Sequence, residues 1–147
     1  MRISDSLEFN LIRQLAITMY TFKKEERLCN KKLLDELFHK GSSFLLYPFR
    51  VSWLHSSHDA DVPVQVVINV SKRKFKRAVD RNLIKRRIRE AYRLNKAELL
   101  YIYLAEQDKK IVLSLNYVGK EIAEYPVIER KLKASLEKLK LSYDKAD

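Results

Sequence analysis

Residues 69–93 read NVSKRKFKRAVDRNLIKRRIREAYR, and this stretch decides the fold. It begins at the end of an apolar run, VPVQVVINVS at 62–71, which we interpret as a central strand buried on both faces. From about Ala78 to about Ala105, apolar residues recur at helical spacing and predict one long helix. A further apolar run, KKIVLSLNYV at 109–118, predicts another buried strand. The long helix is therefore expected to connect two inner strands of one sheet.

Patterns on either side of this unit predict the remaining elements. The stretch CNKKLLDELFHKG (29–41) predicts a helix that ends at Gly41. Aromatic and β-branched residues in SFLLYPFRVSWLH (43–55) predict one bent strand or two short ones, with Pro48 favouring an edge or a break. The stretch EYPVIERKLKASLEKLKL (124–141) predicts a last helix. The order α-β-β-β-α-β-α favours an α/β (α+β) two-layer sandwich with one mixed four-stranded sheet.

Length and composition set the domain organisation. A chain of 147 residues has the length of one domain. We predict an N-terminal extension at 1–19, one folded domain at 20–142 and a C-terminal tail at 143–147. No segment has the roughly 20 apolar residues that span a bilayer, and acidic residues interrupt the first 18 positions, unlike a signal peptide. Because Cys29 is the single cysteine, no disulfide can form within the chain, and we expect a cytoplasmic protein.

The positive charge is concentrated in one place. Residues 72–93 contain eleven basic and two acidic residues, which accounts for nine of the chain's eleven net positive charges. A localised surplus of this size is typical of a protein that meets a polyanion, either nucleic acid or an anionic membrane.

Helical spacing divides residues 81–93 into two faces. Ile84, Ile88, Ala91 and Tyr92 fall on one side and are predicted to face the sheet. The other side carries polar and basic residues, with Arg81 at the boundary, namely Lys85, Arg89, Asn82, Arg93 and Arg86. A row of guanidinium groups matches phosphate oxygens through bidentate hydrogen bonds, and an asparagine can bind a ribose hydroxyl or a base edge. The loop SKRKFKR (71–77) extends this surface, with Phe75 available for stacking or for packing.

Two other readings of this face are weighed against nucleic-acid binding. A solvated face would pair Glu90 with Arg86 or Arg93, but two acids cannot neutralise eleven bases. A membrane-bound helix would need a free apolar face, whereas Ile84 and Ile88 are required by the sheet. The sequence therefore favours binding to nucleic acid.

The central motif resembles the protein subunit of bacterial ribonuclease P. Val70, Ser71, Lys72 and Arg73 match its V-S-K-[KR] strand end, and Arg81, Asn82, Lys85, Arg86 and Arg89 match its R-N-x-x-K-R-x-x-R helix. The resemblance covers roughly residues 20–141, including FKKEERL and LFHKG. It implies an α/β sandwich with a left-handed β-α-β crossover, against the usual right-handed rule.

The same resemblance implies a function. Members of the family bind a catalytic RNA, and the two together remove the 5′ leader of precursor tRNA. The chemistry belongs to the RNA and to Mg²⁺ that the RNA chiefly binds, so no cofactor is expected on the protein alone. The expected partners are the RNA subunit and precursor tRNA, with no membrane and no obligatory protein partner.

The resemblance also implies roles for residues of this chain. The RNA subunit would be contacted by the residues that match the helix motif, with Arg93 on the same face. These residues are Arg81, Asn82, Lys85, Arg86 and Arg89. Phe38 would face a cleft for the leader between the first helix and the sheet, flanked by Lys72 and Arg73. Leu34 stands where the family often has an aromatic residue, and Leu83 where many members have another basic one. The alternative for Phe38 is an ordinary core position beside Leu37.

The chain offers few residues for chemistry of its own. His55, His58, Asp59 and Asp61 lie in a predicted loop, without the helical spacing that would present two imidazoles to one metal. Gly41 and Gly119 are the only glycines, which excludes a glycine-rich phosphate loop. No catalytic residue is therefore predicted on the polypeptide. The competing function is a non-enzymatic ribosome-binding or structured-RNA-binding protein.

Overall fold

The computed structural model describes residues 20–56 and 62–146. A 3₁₀ turn at Lys24–Glu26 precedes the regular elements. These are α1 (Lys31–Lys40), β1 (Ser42–Leu46), β2 (Phe49–His55), β3 (Val64–Val70), α2 (Ala78–Lys96), α3 (Ile102–Glu106), β4 (Ile111–Tyr117) and α4 (Tyr125–Ala146). The predicted order of helices and strands is confirmed. The predicted extension at 1–19 lies outside the described residues.

The four strands form one mixed sheet in the order β1-β2-β4-β3. β2 runs antiparallel to both β1 and β4, while β3 runs parallel to β4. The aromatic stretch at 43–55 forms two strands, because the chain turns at Tyr47 and at Pro48, which are joined by a cis peptide bond. The predicted fold class is confirmed, and the left-handed sense of the crossover stays a prediction of the resemblance.

The prediction that residues 62–71 form a central strand is wrong. β3 lies at the edge of the sheet and, of the other three strands, pairs only with β4, so β4 is the inner strand of the parallel pair. The apolar run arises because Val64, Val66 and Val70 enter the main core and the outer edge is partly covered by the chain before α1. There Leu28 N donates to the Val66 carbonyl oxygen at 2.9 Å. The basic helix consequently joins an edge strand to an inner strand.

The long predicted helix is continuous but irregular. α2 passes through a π turn at Ala97–Tyr101 into α3, which ends at Glu106, one residue beyond the predicted end. Such π turns are rare and occur often at functional sites. Here the turn lies between Lys96 and Ile102, next to the chain before α1.

The structure corrects the prediction that residues 143–147 form a C-terminal tail. α4 continues to Ala146, and Tyr143 is buried in the main core, where its ring packs against Trp53 with centroids 5.4 Å apart. The apolar stripe of this helix extends one turn further than its leucines indicate, because Tyr143 takes the place of an aliphatic residue. The folded domain therefore reaches Ala146.

Two apolar clusters lie on opposite faces of the sheet. The main core is formed by α2, α4 and one face of all four strands. A smaller cluster of Leu28, Leu37 and Val112 lies under α1 on the other face. Asn30 caps the N-terminus of α1, where its Oδ1 accepts from Lys32 N at 2.9 Å, and Gly41 caps the C-terminus. A Cβ at Gly41 would lie 2.4 Å from the Leu37 carbonyl oxygen of α1 and 2.9 Å from the Trp53 carbonyl oxygen of β2, so this close approach of helix and sheet requires glycine.

Candidate RNA interface

The basic helix α2 is attached to the sheet by the face that the sequence predicts. Ile84, Ile88, Ala91 and Tyr92 are each 0% exposed and belong to the main core. This burial fixes the rotation of the helix, because turning it would expose all four side chains. The polar side must therefore face away from the sheet.

On that polar side, Asn82, Arg86 and Arg89 are exposed and Lys85 is half-buried. None of these four side chains makes a hydrogen bond or an ion pair with another residue in the part of the chain that the structure describes. Their donors are thus available to an external acceptor such as a phosphate.

Two other predicted residues use their donors within the chain. Arg81 Nη1 donates to the carbonyl oxygens of Phe75 and Lys76, both at 2.8 Å, and so holds the end of the basic loop against α2. Arg93 binds Glu90 through two hydrogen bonds at 2.6 and 3.1 Å and donates to the Tyr20 carbonyl oxygen at 2.5 Å. The ion pair of Glu90 with Arg93, which is expected for a solvated face, is therefore present. Arg93 is thus not one of the unpaired side chains on the polar side of α2.

The basic loop at 71–77 adds exposed cations at the start of α2. Ser71 Oγ accepts from Arg73 N at 3.2 Å and from Lys74 N at 3.4 Å, which fixes a turn that leaves Lys72 and Arg73 exposed. Phe75 is 7% exposed, and its ring centroid lies 6.1 Å from that of Tyr117. Of the two roles considered for Phe75, the structure shows packing.

We call the resulting set the basic surface. It comprises Lys72, Arg73, Arg81, Asn82, Lys85, Arg86 and Arg89. Its side chains belong to one loop and one helix face, without a carboxylate among them, and an acceptor there would meet several cations at once.

The first helix presents Phe38 to solvent. This side chain is 54% exposed, whereas its neighbour Leu37 is 1% exposed. The core alternative for Phe38 is therefore excluded. Leu34, one turn earlier, is half-buried and packs against the smaller cluster. An exposed aromatic ring on a helix edge is available for stacking on a base.

The sheet beside α1 carries a polar row. Arg50 on β2, Asn116 on β4 and Asn69 on β3 are aligned in register, and their side chains share the face on which α1 lies. Arg50 is exposed, and the two asparagines are partly exposed. α1 covers the apolar end of this face at Leu54 and Val112 and leaves the polar row accessible. We call the space between α1 and this row the cleft.

A buried ionic cluster attaches the chain before α1 to the π turn. Lys96 and Glu26 are 2% and 3% exposed and form an ion pair. Lys96 Nζ also donates to the Thr21 carbonyl oxygen, and Tyr101 OH donates to Glu26 Oε1 at 2.5 Å. Lys23 N donates to the second carboxylate oxygen at 2.6 Å. We call Glu26, Lys96 and Tyr101 the anchor cluster.

The anchor cluster keeps its carboxylate ionised. Burial favours the neutral form, but hydrogen bonds from Lys96, Tyr101 and the Lys23 N–H together outweigh it and hold the pKa of Glu26 below its usual value. Burial also lowers the pKa of Lys96, and the nearby Glu26 carboxylate partly offsets that effect. The pKa of Tyr101 is raised, chiefly by burial, so its hydroxyl stays protonated and can donate.

Sequence reasoning missed this cluster. Glu26 and Lys96 are 70 positions apart, and each taken alone has the pattern of a surface charge. No short pattern in the sequence signals the pair, because the buried positions Tyr92, Lys96, Leu100 and Leu104 keep a spacing of four residues through the π turn.

A metal site built from the histidines and aspartates near residues 55–61 has no support from the part of the chain that the structure describes. The ring of His55 packs against Trp53 and Tyr143, while His58, Asp59 and Asp61 lie outside the described residues. Among the described residues, no group of three His, Cys, Asp or Glu side chains is placed to hold a metal ion. Within the same ranges, no helix has the length and apolar character needed to cross a membrane.

Comparisons with known proteins agree with this geometry. The sequence matches the ribonuclease P family over residues 22–140. It is 34% identical over 117 residues to the ribonuclease P protein component of Porphyromonas gingivalis, covering 80% of this chain and 85% of that protein.

Solved structures show the same fold. The RNase P protein of Staphylococcus aureus is 25% identical with a TM-score of 0.59, over 76% of this chain and 93% of that one. That of Thermotoga maritima is 21% identical with a TM-score of 0.62, over 77% and 96%. The chain thus belongs to the ribonuclease P protein family, as the protein component of an endoribonuclease that processes tRNA 5′ ends together with the ribonuclease P RNA.

Proposed function

We propose that the basic surface is where this chain binds the ribonuclease P RNA. The observation that carries the proposal is the row of Asn82, Arg86 and Arg89. These side chains are exposed and have no partner among residues 20–56 and 62–146, and the opposite face of their helix is completely buried. Guanidinium groups held in this way bind phosphates without first giving up internal partners. Lys72 and Arg73 extend the contact toward the end of β3.

We also propose that the cleft holds the 5′ leader of precursor tRNA. Single-stranded RNA binds where an aromatic ring can stack on a base and cations line the path of the backbone. The cleft offers Phe38 at its rim and Arg50 on its floor. The two asparagines of the polar row add donors and acceptors for base edges or hydroxyls. Leu34 supplies an apolar wall where an aromatic residue would stack more strongly.

Membership of the family suggests which tasks belong to the RNA and which to the protein. We propose that cleavage takes place on the RNA, with Mg²⁺ bound chiefly there, and that the protein contributes binding and orientation. An attacking water and a leaving oxygen must be aligned to react, so a protein that fixes the leader next to the cleavage site assists the reaction without touching the reacting atoms. No side chain of this chain is assigned a catalytic role.

We propose that the protein acts in the cytoplasm and needs no other protein partner for this task. The exposed thiol of Cys29 is compatible with a reducing compartment. The ribosome-associated alternative has no supporting observation once the family is known.

The test is selectivity for RNA shape and for the leader. The purified chain should bind ribonuclease P RNA at least about a hundredfold more tightly than duplex DNA of equal length at the same salt concentration, because nonspecific binding is electrostatic alone. The assembled complex should prefer precursor tRNA with a leader over mature tRNA. Equal binding to RNA and duplex DNA would refute the proposal for the basic surface.

A further inference from the structure

A shallow pocket lies at the outer edge of β3, next to the basic surface. Its lining comes from three parts of the fold, namely Phe22, Arg27 and Leu28 before α1, Val66, Val67 and Ile68 on β3, and Arg89 on α2. The volume is about 150 Å³. Two guanidinium side chains thus line one pocket together with five apolar residues, and none of the lining residues carries a carboxylate.

Arg27 is held in place over an aromatic ring. Its guanidinium carbon lies 5.7 Å from the centroid of Phe22, a cation–π contact that leaves the edge of the guanidinium free to donate. The backbone of Arg27 is fixed as well, because its N–H donates to the Lys24 carbonyl oxygen at 3.1 Å and Leu28 N bonds to β3. Arg27 forms no ion pair with a carboxylate anywhere in residues 20–56 or 62–146.

The anchor cluster explains why this part of the chain is ordered. Glu26 is adjacent to Arg27, and its buried pair with Lys96 fixes the segment to the C-terminal end of α2. The ring of Phe22 packs edge-on against Tyr92, with centroids 5.7 Å apart, and Lys96 Nζ lies 5.4 Å from the Phe22 centroid. Both Arg27 and its aromatic support are therefore positioned relative to α2, which carries Arg89.

We propose that Arg27 and Arg89 together hold one phosphate group of RNA in this pocket. Two guanidinium groups from separate elements can each form a bidentate, charge-assisted pair with one phosphate. The pocket would extend the basic surface around the edge of β3. This inference rests on the proposed function, because Arg89 belongs to the basic surface.

The experiment measures binding of the full chain to ribonuclease P RNA as a function of salt concentration. Arg27→Ala should weaken binding about tenfold, the order of one charge-assisted hydrogen-bonded contact. It should also lower the salt slope by about one, because fewer counterions are released. Lys24→Ala is the matched control, since Lys24 is an exposed cation three residues away and does not line the pocket. It should change the affinity less than about twofold.

Two further variants separate a shared phosphate from general charge. Arg27→Lys keeps the charge but loses the guanidinium fork, so it should bind more weakly than the wild type. In the double variant Arg27→Ala/Arg89→Ala, the loss should be smaller than the product of the single losses, because both residues contact the same group. Thermal unfolding of each variant reports whether the fold is intact.

The source of the phosphate is decided by a second arm. Each variant is assembled with saturating RNA subunit, and the affinity for precursor tRNA is measured. A loss confined to the first arm assigns the phosphate to the RNA subunit, and a loss confined to the second assigns it to the precursor. If Arg27→Ala binds like Lys24→Ala in both arms while Arg86→Ala binds weakly, the pocket proposal is overturned and the proposed function stands. If Arg86→Ala also binds normally, both are overturned.

Discussion

Lys96, at the end of α2, forms a buried ion pair with Glu26, 70 residues earlier in the chain. The pair connects the segment before α1 to the only π turn within the described residues. Removing charges from water is costly unless every donor and acceptor finds a partner, and here both oxygens of the carboxylate are hydrogen-bonded. The pair thereby determines where Phe22 and Arg27 lie relative to the basic helix.

Breaking this pair should destabilise the protein strongly. We expect Lys96→Met to lower the free energy of unfolding by about 3–5 kcal/mol, because the Glu26 carboxylate stays buried without its cation. Urea unfolding followed by circular dichroism measures the change. Glu137→Gln is the control, since it breaks the pair of the exposed Glu137 with the half-buried Lys140, and it should cost about 0–1 kcal/mol. Equal losses in the two variants would contradict the assigned role of the buried pair.

The same cluster predicts a specific response to acid. The pKa of Glu26 in the folded protein lies below the ordinary value of 4.5. The folded state therefore binds fewer protons than the unfolded state in this range, and the stabilisation from Glu26 is present above pH 4.5 and is lost as the pH falls through the folded pKa. Glu26→Gln does not titrate and should show a shallower loss of unfolding free energy between pH 5 and pH 3. A slope identical to that of the wild type would show that folding leaves the pKa of Glu26 unchanged, which would contradict the stabilisation of its carboxylate by the anchor cluster.

The basic surface predicts a salt-dependent loss of RNA binding without loss of folding. Arg86→Ala and Arg89→Ala should each weaken binding to ribonuclease P RNA by about 1–2 kcal/mol and lower the salt slope by about one. Their melting temperatures should stay close to that of the wild type, because both side chains are exposed and unpaired among the described residues. Lys133→Ala, an exposed cation on α4, serves as control. Unchanged affinity and slope in both arginine variants would refute the interface.

Phe38 and Leu37 are neighbours with opposite expected effects. Phe38→Ala should leave the free energy of unfolding nearly unchanged and should weaken binding of leader-bearing precursor to the assembled complex by about 1–3 kcal/mol. Binding of mature tRNA should not change. Leu37→Ala should instead destabilise the fold by about 2–5 kcal/mol, because it removes a buried side chain from the smaller cluster. A folded Phe38→Ala variant with normal affinity for the leader-bearing precursor would argue against stacking in the cleft.

Local sequence patterns predicted the helices and strands well, but they predicted less well which elements lie next to one another in the fold. The spacing of Ile84, Ile88 and Tyr92 predicted both the basic helix and its buried face, because one helix face alternates with the other in a fixed period. β3 was placed wrongly at the centre of the sheet, since an edge strand covered by Leu28 has the same apolar composition as an inner one. Tyr143 was assigned to a tail because a single tyrosine near the end of a helix does not indicate burial.

The site could be predicted only where it is continuous in sequence. Residues 72–89 form one loop and one helix, so their charge was recognisable from the sequence alone. Arg27 and the anchor cluster depend on contacts between segments about 60 to 75 residues apart, and no short pattern contains that information. Which arginines are free also required the structure, because Arg89 and Arg93 both lie on the polar side of α2 in the sequence pattern, whereas Arg93 alone of the two contacts Glu90 and Tyr20.

The most direct test of the whole account is cleavage of a 5′-extended precursor tRNA at low Mg²⁺ concentration. The reaction is run with the cognate ribonuclease P RNA, with and without this protein, and with the protein alone. We predict cleavage at the mature 5′ end only when both the RNA and the protein are present. Cleavage by the protein alone, or no stimulation of the RNA by the folded protein, would contradict the account.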